Sequence, residues 1–247
     1  MQNRFYKILM NVFIILLLSL SSCFAGETSI VEYEVSYLRM PILNMTLTWE
    51  DRDSTVLISY DNQVKPVIAR FHHIHNIYNV LFEKNSYMPL AWSKSVSEGD
   101  MIFDLAAQRS ADGSSVQYSN QEIRSFPENA FTVFSATHFL ASKADEPSFF
   151  PTVLKVFIDG EIWEATARRY TRASPHPEID IADELVLIQA DLHYLEGSRV
   201  MAENDILMAA IATEGTQFKL WVDADGVYSK AQFGEFPRAV VLEQLTQ

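Results

Sequence analysis

The stretch IVEYEVSYLRMPILNMTLTWE, residues 30–50, decides how the rest of the chain is read. Val31, Tyr33, Val35 and Tyr37 are apolar or aromatic at every second position, with Glu32, Glu34 and Ser36 between them. Successive side chains of a strand point to opposite faces, so this pattern predicts a strand with one buried and one wetted face. Pro41 interrupts the run, and Met45, Leu47 and Trp49 then resume the alternation as a second strand.

The same signal recurs to the end of the chain. Val56, Ile58 and Tyr60 alternate, as do Tyr78, Val80 and Phe82. Further strand-like runs cover 91–96, 101–107, 153–157, 162–170, 185–194, 218–222, 227–233 and 239–245. Six of the eight glycines follow an acidic residue: Gly99, Gly113, Gly160, Gly197, Gly215 and Gly226. Such pairs suit tight hairpins, because glycine enters the positive-φ region without steric cost.

Two segments have helical spacing. Val64, Val67, Ile68, Phe71 and Ile74 fall on one face of a helix over 64–74, with Pro66 in its first turn. A second helix is predicted over 128–143, where Ala130, Phe131, Phe134, His138 and Phe139 share a face. A long antiparallel meander exposes its edges unless it curls. The predicted fold is therefore mainly β: a curved antiparallel sheet, half-barrel or barrel of about a dozen strands with two short helices. Glu50, Lys94, Glu164, Arg168 and Lys230 lie within these strands, which disfavours a lipid-facing transmembrane barrel.

The first 25 residues have the layout of a secretory signal. Arg4 and Lys7 precede the apolar run VFIILLLSL at 12–20, which a small, polar break SSCFAG ends. The run is shorter than the ~20 apolar residues that span a bilayer. Two export routes fit the break. Leu20-Ser21-Ser22-Cys23 has the spacing of a lipoprotein signal, in which Cys23 becomes the acylated first residue, and cleavage after Ala25 is the alternative. The expected organisation is a cleaved signal at 1–25 and one β-rich exported domain at 26–247. Its compartment is the periplasm, or an envelope membrane if Cys23 is acylated.

The leader holds two of the 19 basic residues and no acid, so the body carries 17 basic against 32 acidic side chains, a net −15. That field repels phosphate backbones and anionic headgroups, so nucleic acid is excluded as a partner. The expected route to a membrane is Cys23 or a partner protein. Beyond Cys23 there is no cysteine, so no disulfide supports the body. The apolar run at 207–212 is far too short to span a bilayer.

Three segments carry a family resemblance. YEVSYLRMPILNMTLTWE (33–50) resembles the first hairpin of the bacterial exported family called domain of unknown function 3108. NIYNVLFEKNSYMPLAWSKSVSEG (76–99) is similar to its next signature, two strands joined by a short turn and a proline. FKLWVDADGVYSKAQF (218–233) resembles its closing hairpin, with Tyr228-Ser229 where the family usually has a proline. The resemblance implies an exported, β-rich domain and brings no assigned catalytic residue.

Signals of reaction chemistry are sparse. His72 and His75, three apart on the predicted helix, have the spacing of two ligands to one metal, with no third ligand named by spacing. Asp223-Ala-Asp225-Gly226 begins like a calcium loop, but Gly234 occupies the twelfth position where a glutamate belongs, so it reads as a hairpin turn. Arg168, Arg169 and Arg172 form a basic cluster whose first two members point to opposite strand faces, with Glu178, Asp180 and Asp183 as acidic partners. Ser135 and His138 lie three apart without an evident acid or oxyanion hole. No Gly-x-Ser-x-Gly elbow, phosphate loop or dinucleotide glycine pattern occurs. No cofactor is implied.

Sixteen Phe, ten Tyr and four Trp are available to fill a core or line an apolar cavity. The expected function is non-enzymatic binding of an apolar or lipid-like ligand within the curved sheet. Trp49, Phe71, Trp92, Phe134 and Trp221 are the candidate lining residues. The alternatives are a structural or assembly partner of another envelope protein and, last, a hydrolase.

Overall fold

A computed structural model describes residues 27–201, 205–235 and 239–245. The leader and Cys23 lie outside these residues. Among the described residues, fifteen strands form one sheet. The first eight are β1 (Thr28–Tyr37), β2 (Met40–Asp51), β3 (Thr55–Val64), β4 (Ile74–Glu83), β5 (Pro89–Glu98), β6 (Met101–Arg109), β7 (Ser115–Tyr118) and β8 (Ile123–Ser125). Next come β9 (Ala130–Thr132), helix α1 (Val133–Ser142), β10 (Thr152–Ile158), β11 (Glu161–Tyr170) and β12 (Val186–Gly197). A short helix α2 (Ile206–Ile211) precedes β13 (Gln217–Val222), β14 (Tyr228–Phe233) and β15 (Val240–Gln244).

Strands β1–β8 form one meander and β10–β15 another. The two are joined where β1 pairs antiparallel with β15, Tyr33 opposite Gln244 and Tyr37 opposite Val240. The first and last strands therefore lie mid-sheet, and the outer edges are β8 and β9, from the middle of the sequence. The fold is mainly β, an open, strongly curved sheet.

Alternation fixes which face turns inward. Tyr33 and Val35 of β1, Leu43, Met45 and Leu47 of β2, and Val56, Ile58 and Tyr60 of β3 are all buried. Register places Tyr33 opposite Met45, Leu47 opposite Tyr60, and Tyr60 opposite Tyr78 of β4. The concave face is thus continuous across four strands. A one-residue slip would turn this whole set to solvent, so the pairing is strongly specified.

No hydrogen-bonded ladder joins β8 to β9; side chains bridge the gap. Leu105, Ala107, Val116, Tyr118 and Phe126 from one flank pack with Ala130, Phe157 and Val200 from the other. The Phe126 and Phe157 ring centroids are 5.1 Å apart.

Two predictions about helices are corrected. No helix occupies 64–74. β3 runs to Val64 and β4 begins at Ile74, so Lys65 to His73 form a connecting turn. Its backbone bonds, such as Ala69 N–H to the Lys65 carbonyl at 3.0 Å, make a single helical turn. The apolar spacing there had a different cause: Val64 and Ile74 belong to strands, while Val67 and Phe71 face solvent. The second predicted helix is present but shorter. Residues 130–132 leave it to pair in parallel with β10 at Lys155–Phe157.

Helix α1 starts at Thr132, whose hydroxyl accepts from the Ser135 N–H while the Ser135 hydroxyl accepts from the Thr132 N–H. Val133, Ala136, Leu140 and Ala141 are buried, and the helix packs against β4, β9, β10 and β13, filling the concavity. No helix among the described residues is long and apolar enough to cross a membrane.

The sheet has two mouths. The β1–β2, β3–β4 and β5–β6 turns and the α2 loop lie at one, and the β2–β3, β4–β5 and β13–β14 turns at the other. Asp223–Gly226 forms the last of these as a hairpin turn, as its sequence indicates. The Asp223 carboxylate accepts from the N–H groups of Asp225 and Val227.

Candidate functional site

The inward side chains of β1–β4 and α1 form an aromatic cluster. Phe134 packs on Tyr60 and Tyr78, with centroids 4.6 and 5.3 Å apart. His138, one turn further along α1, shares a 2.6 Å hydrogen bond with the Tyr60 hydroxyl and lies against Trp49. Burial pushes the His138 pKa down to about 3, because no charge compensates the imidazolium there. Burial likewise holds the Tyr33, Tyr60 and Tyr228 phenols protonated. Ser135 is committed to the helix cap, so Ser135 and His138 do not form a nucleophile–base pair.

Between this cluster and α2 lies an apolar cavity of about 40 Å³. Leu43, Tyr60, Tyr78, Phe134, Ile206 and Phe233 are among its lining residues. A second cavity, of about 30 Å³, lies beside Trp92, Leu105, Phe157 and Met208. A site of a few tens of Å³ holds a few water molecules or a small apolar group, whereas drug-sized ligands occupy ~300 Å³ or more.

A buried polar group holds α2 over the first cavity. Asp205, fully buried, accepts from the Met208 N–H and from the Tyr78 hydroxyl, both at 2.8 Å. This is the N-cap of α2. Glu98 accepts from the Ile206 N–H at 3.2 Å and from the Asn76 side-chain amide. Lys94, also buried, pairs with Asp159, and its ammonium is 3.8 Å from the second Asp205 oxygen, which has no hydrogen-bond partner. Burial raises the pKa of both Glu98 and Asp205; Lys94 opposes the shift at Asp205, and the Asn76 amide opposes it at Glu98. The arrangement fixes a lid. It offers no nucleophile paired with a base.

The structure separates the five aromatic candidates. Phe134 lines both cavities, Trp92 lines the second, and Trp49 points inward beside Phe82 and His138. Phe71 stands in the β3–β4 turn facing solvent, so the helix meant to turn it inward does not exist. Trp221 is on the outer face of β13, with the Lys230 ammonium 5.4 Å above its ring.

The metal reading of His72 and His75 loses its premise with the same helix. His75 is on β4 and bonds to Asp61 at 3.1 Å, while His72 lies against Gly99. Among the described residues no group of three or more His, Cys, Asp or Glu side chains is placed to hold a metal. The basic cluster is dispersed: Arg168 pairs with Asp191, Arg172 with Asp183, and Arg169 donates to the Ala144 carbonyl.

Sequence reasoning missed the lid group, although a signal existed. Lys94 and Glu98 share strand parity with Trp92 and Val96, which puts charged residues on the inward face of β5. Asp205, in contrast, precedes only a six-residue helix and carries no comparable pattern.

No protein-family model and no curated protein sequence matches the chain. In fold it is similar to a solved structure, the β-barrel-like protein of domain of unknown function DUF1849 from Brucella abortus. The TM-score is 0.53 at 9% identity, over 90% of this chain and 96% of that one. That likeness is one of fold.

Proposed function

We propose that the chain is a non-enzymatic binding domain of the bacterial envelope that takes an apolar group at the mouth covered by α2. The observation carrying this reading is the apolar cavity between Phe134 and α2, whose cover is capped by two buried carboxylates and seated on the core through Met208 and Ile211. Its size suits the end of an acyl chain or one apolar side chain. A larger ligand requires α2 to move. The secretory leader supports an envelope location, with the route, through Cys23 or cleavage after Ala25, as read from the sequence. The resemblance to domain of unknown function 3108 agrees with that location.

Quenching by a brominated fatty acid tests the reading. Phe134→Trp places a reporter at the cavity, while Trp49, Trp92, Trp163 and Trp221 supply the background signal of the parent chain. Extra, saturable quenching in the variant is expected. Quenching no greater than in the parent would refute the site.

A second reading, assembly with another envelope protein, is favoured by one observation. α1 fills the concavity, and the sheet ends at β8 with Ile123 exposed. An uncovered edge can accept a further strand.

A further inference from the structure

We propose that the N-terminal half of α2 is an internal stand-in for the ligand, and that the ligand is a monocarboxylate with an apolar chain, of the fatty-acid class. The inference rests on the reading of this mouth as an apolar-binding site and adds what its polar end recognises.

Residues 205–208 have the chemistry of such a molecule. The Asp205 carboxylate lies at one end, and Ile206, Leu207 and Met208 follow it. Ile206 and Leu207 line the first cavity and Met208 the second, while Tyr78 and Phe134 line both. Lifting these residues joins the two cavities and adds the space of their side chains, which enlarges the site towards the volume of a whole ligand. The move takes Met208 out of the core, and the chain of the ligand takes its place. The two ends of α2 are held differently. At the C-terminal end Ile211 is fully buried and the Arg199 guanidinium donates to the Ala212 carbonyl at 2.9 Å. At the N-terminal end Ile206 and Leu207 are half-buried, and the carboxylates of Glu98 and Asp205 hold the N–H groups of Ile206 and Met208. The N-terminal end is therefore the one that lifts.

The seat of the Asp205 carboxylate selects the head group. Two donors converge on it. The Tyr78 hydroxyl donates to one oxygen at 2.8 Å, and the Lys94 ammonium stands 3.8 Å from the other. That second oxygen is buried without a hydrogen-bond partner among the described residues, so the tethered carboxylate fills its seat imperfectly. A free carboxylate, attached to no backbone, can reach both donors. Lys94 carries three N–H groups and can serve it and Asp159 together. The other charged groups at the seat are Asp159, paired with Lys94, and Glu98, bonded to Asn76. A ligand carboxylate that replaces Asp205 leaves this balance as it stands. An alcohol is a weaker acceptor for Lys94, and an ammonium head is a donor only and gives it no acceptor.

Calorimetric titration of the full chain with octanoate, octanol and octylamine compares three heads on one apolar chain. Octanoate is expected to bind about tenfold more tightly than either of the others. Asp205→Ala removes the internal competitor and should tighten octanoate binding about tenfold. In that background Tyr78 no longer holds α2, so adding Tyr78→Phe acts on the ligand alone and should weaken octanoate, but not octanol, about tenfold. Thermal melting checks that each variant is folded, and the comparison of heads on the parent chain decides the matter even where a substitution unfolds it. Equal or greater affinity for octanol or octylamine would overturn the stand-in while leaving the apolar site in place. So would octanoate binding that a folded Asp205→Ala chain fails to strengthen. Binding of none of the three would overturn both readings.

Discussion

His138 carries a titratable ring into the interior and holds it neutral against Tyr60. Its pKa is about 3 in the folded chain and ordinarily 6.5, so below pH 6.5 the unfolded state binds the extra proton. The stability it contributes is complete above pH 6.5 and is lost as pH falls toward 3. Lowering the pH from 7.5 to 5 should cost about 2 kcal/mol through this residue. Glu98 and Asp205 have the opposite sign: their raised pKa values make the folded state the better proton binder, and that contribution fades as pH rises. Urea unfolding of the parent and of His138→Gln across pH 5–7.5 separates the two effects. The variant should lack the acid-side loss, and an identical pH profile would contradict the assignment. At Asp205, Asn keeps an acceptor for Met208 and Tyr78, whereas Ala removes it. Asp205→Ala should therefore unfold ~1–2 kcal/mol more readily than Asp205→Asn. The chemistry of both residues is local, but their burial is not. The sequence shows His138 on a helix near aromatic residues, while its contact with Tyr60 spans 78 positions and becomes readable only once α1 is set in the sheet.

Strands were legible at the element scale because their period is set by one buried face, as in β1 to β4. The helices were harder to read. The segment at 64–74 has helical spacing, but each of its ends is claimed by a ladder: Gln63 pairs with His75, and Leu43 with Val64. What remains between the strands is long enough for one turn, and its apolar residues point outward. For α1 the error was at the start. Residues 130–132 are helix-compatible in sequence but gain a parallel partner in β10, some 25 positions later. The helix itself is a structural plug, and Leu140, fully buried on it, reports its packing. Leu140→Ala should cost 2–5 kcal/mol in equilibrium unfolding. A value below ~1 kcal/mol would mean that the concavity is loosely filled. Hydrogen exchange in the same variant should speed up along β4, β9, β10 and β13, the strands that α1 contacts.

For the molecule as a whole, alternation and turns gave the class, a curved antiparallel sheet, but not its seam. Where a sheet closes depends on which distant side chains meet, here Trp92 and Phe126 against Phe157. Phe157→Ala should cost ~3–5 kcal/mol and expose the β6–β8 flank to exchange before the β1–β4 flank. Uniform exchange would show the seam to be unimportant. The join at β1 and β15 has a further consequence, in time rather than in space. During synthesis the N-terminal meander emerges first, and β1 then has β2 on one side and nothing on the other. Its second partner lies more than 200 positions later. Until residue 240 arrives, an amphipathic strand in the middle of the finished sheet is an open edge, and loop-closure entropy makes its pairing slow. The chain therefore meets its greatest aggregation hazard before it is complete, which is when a holdase that covers strand edges would matter most.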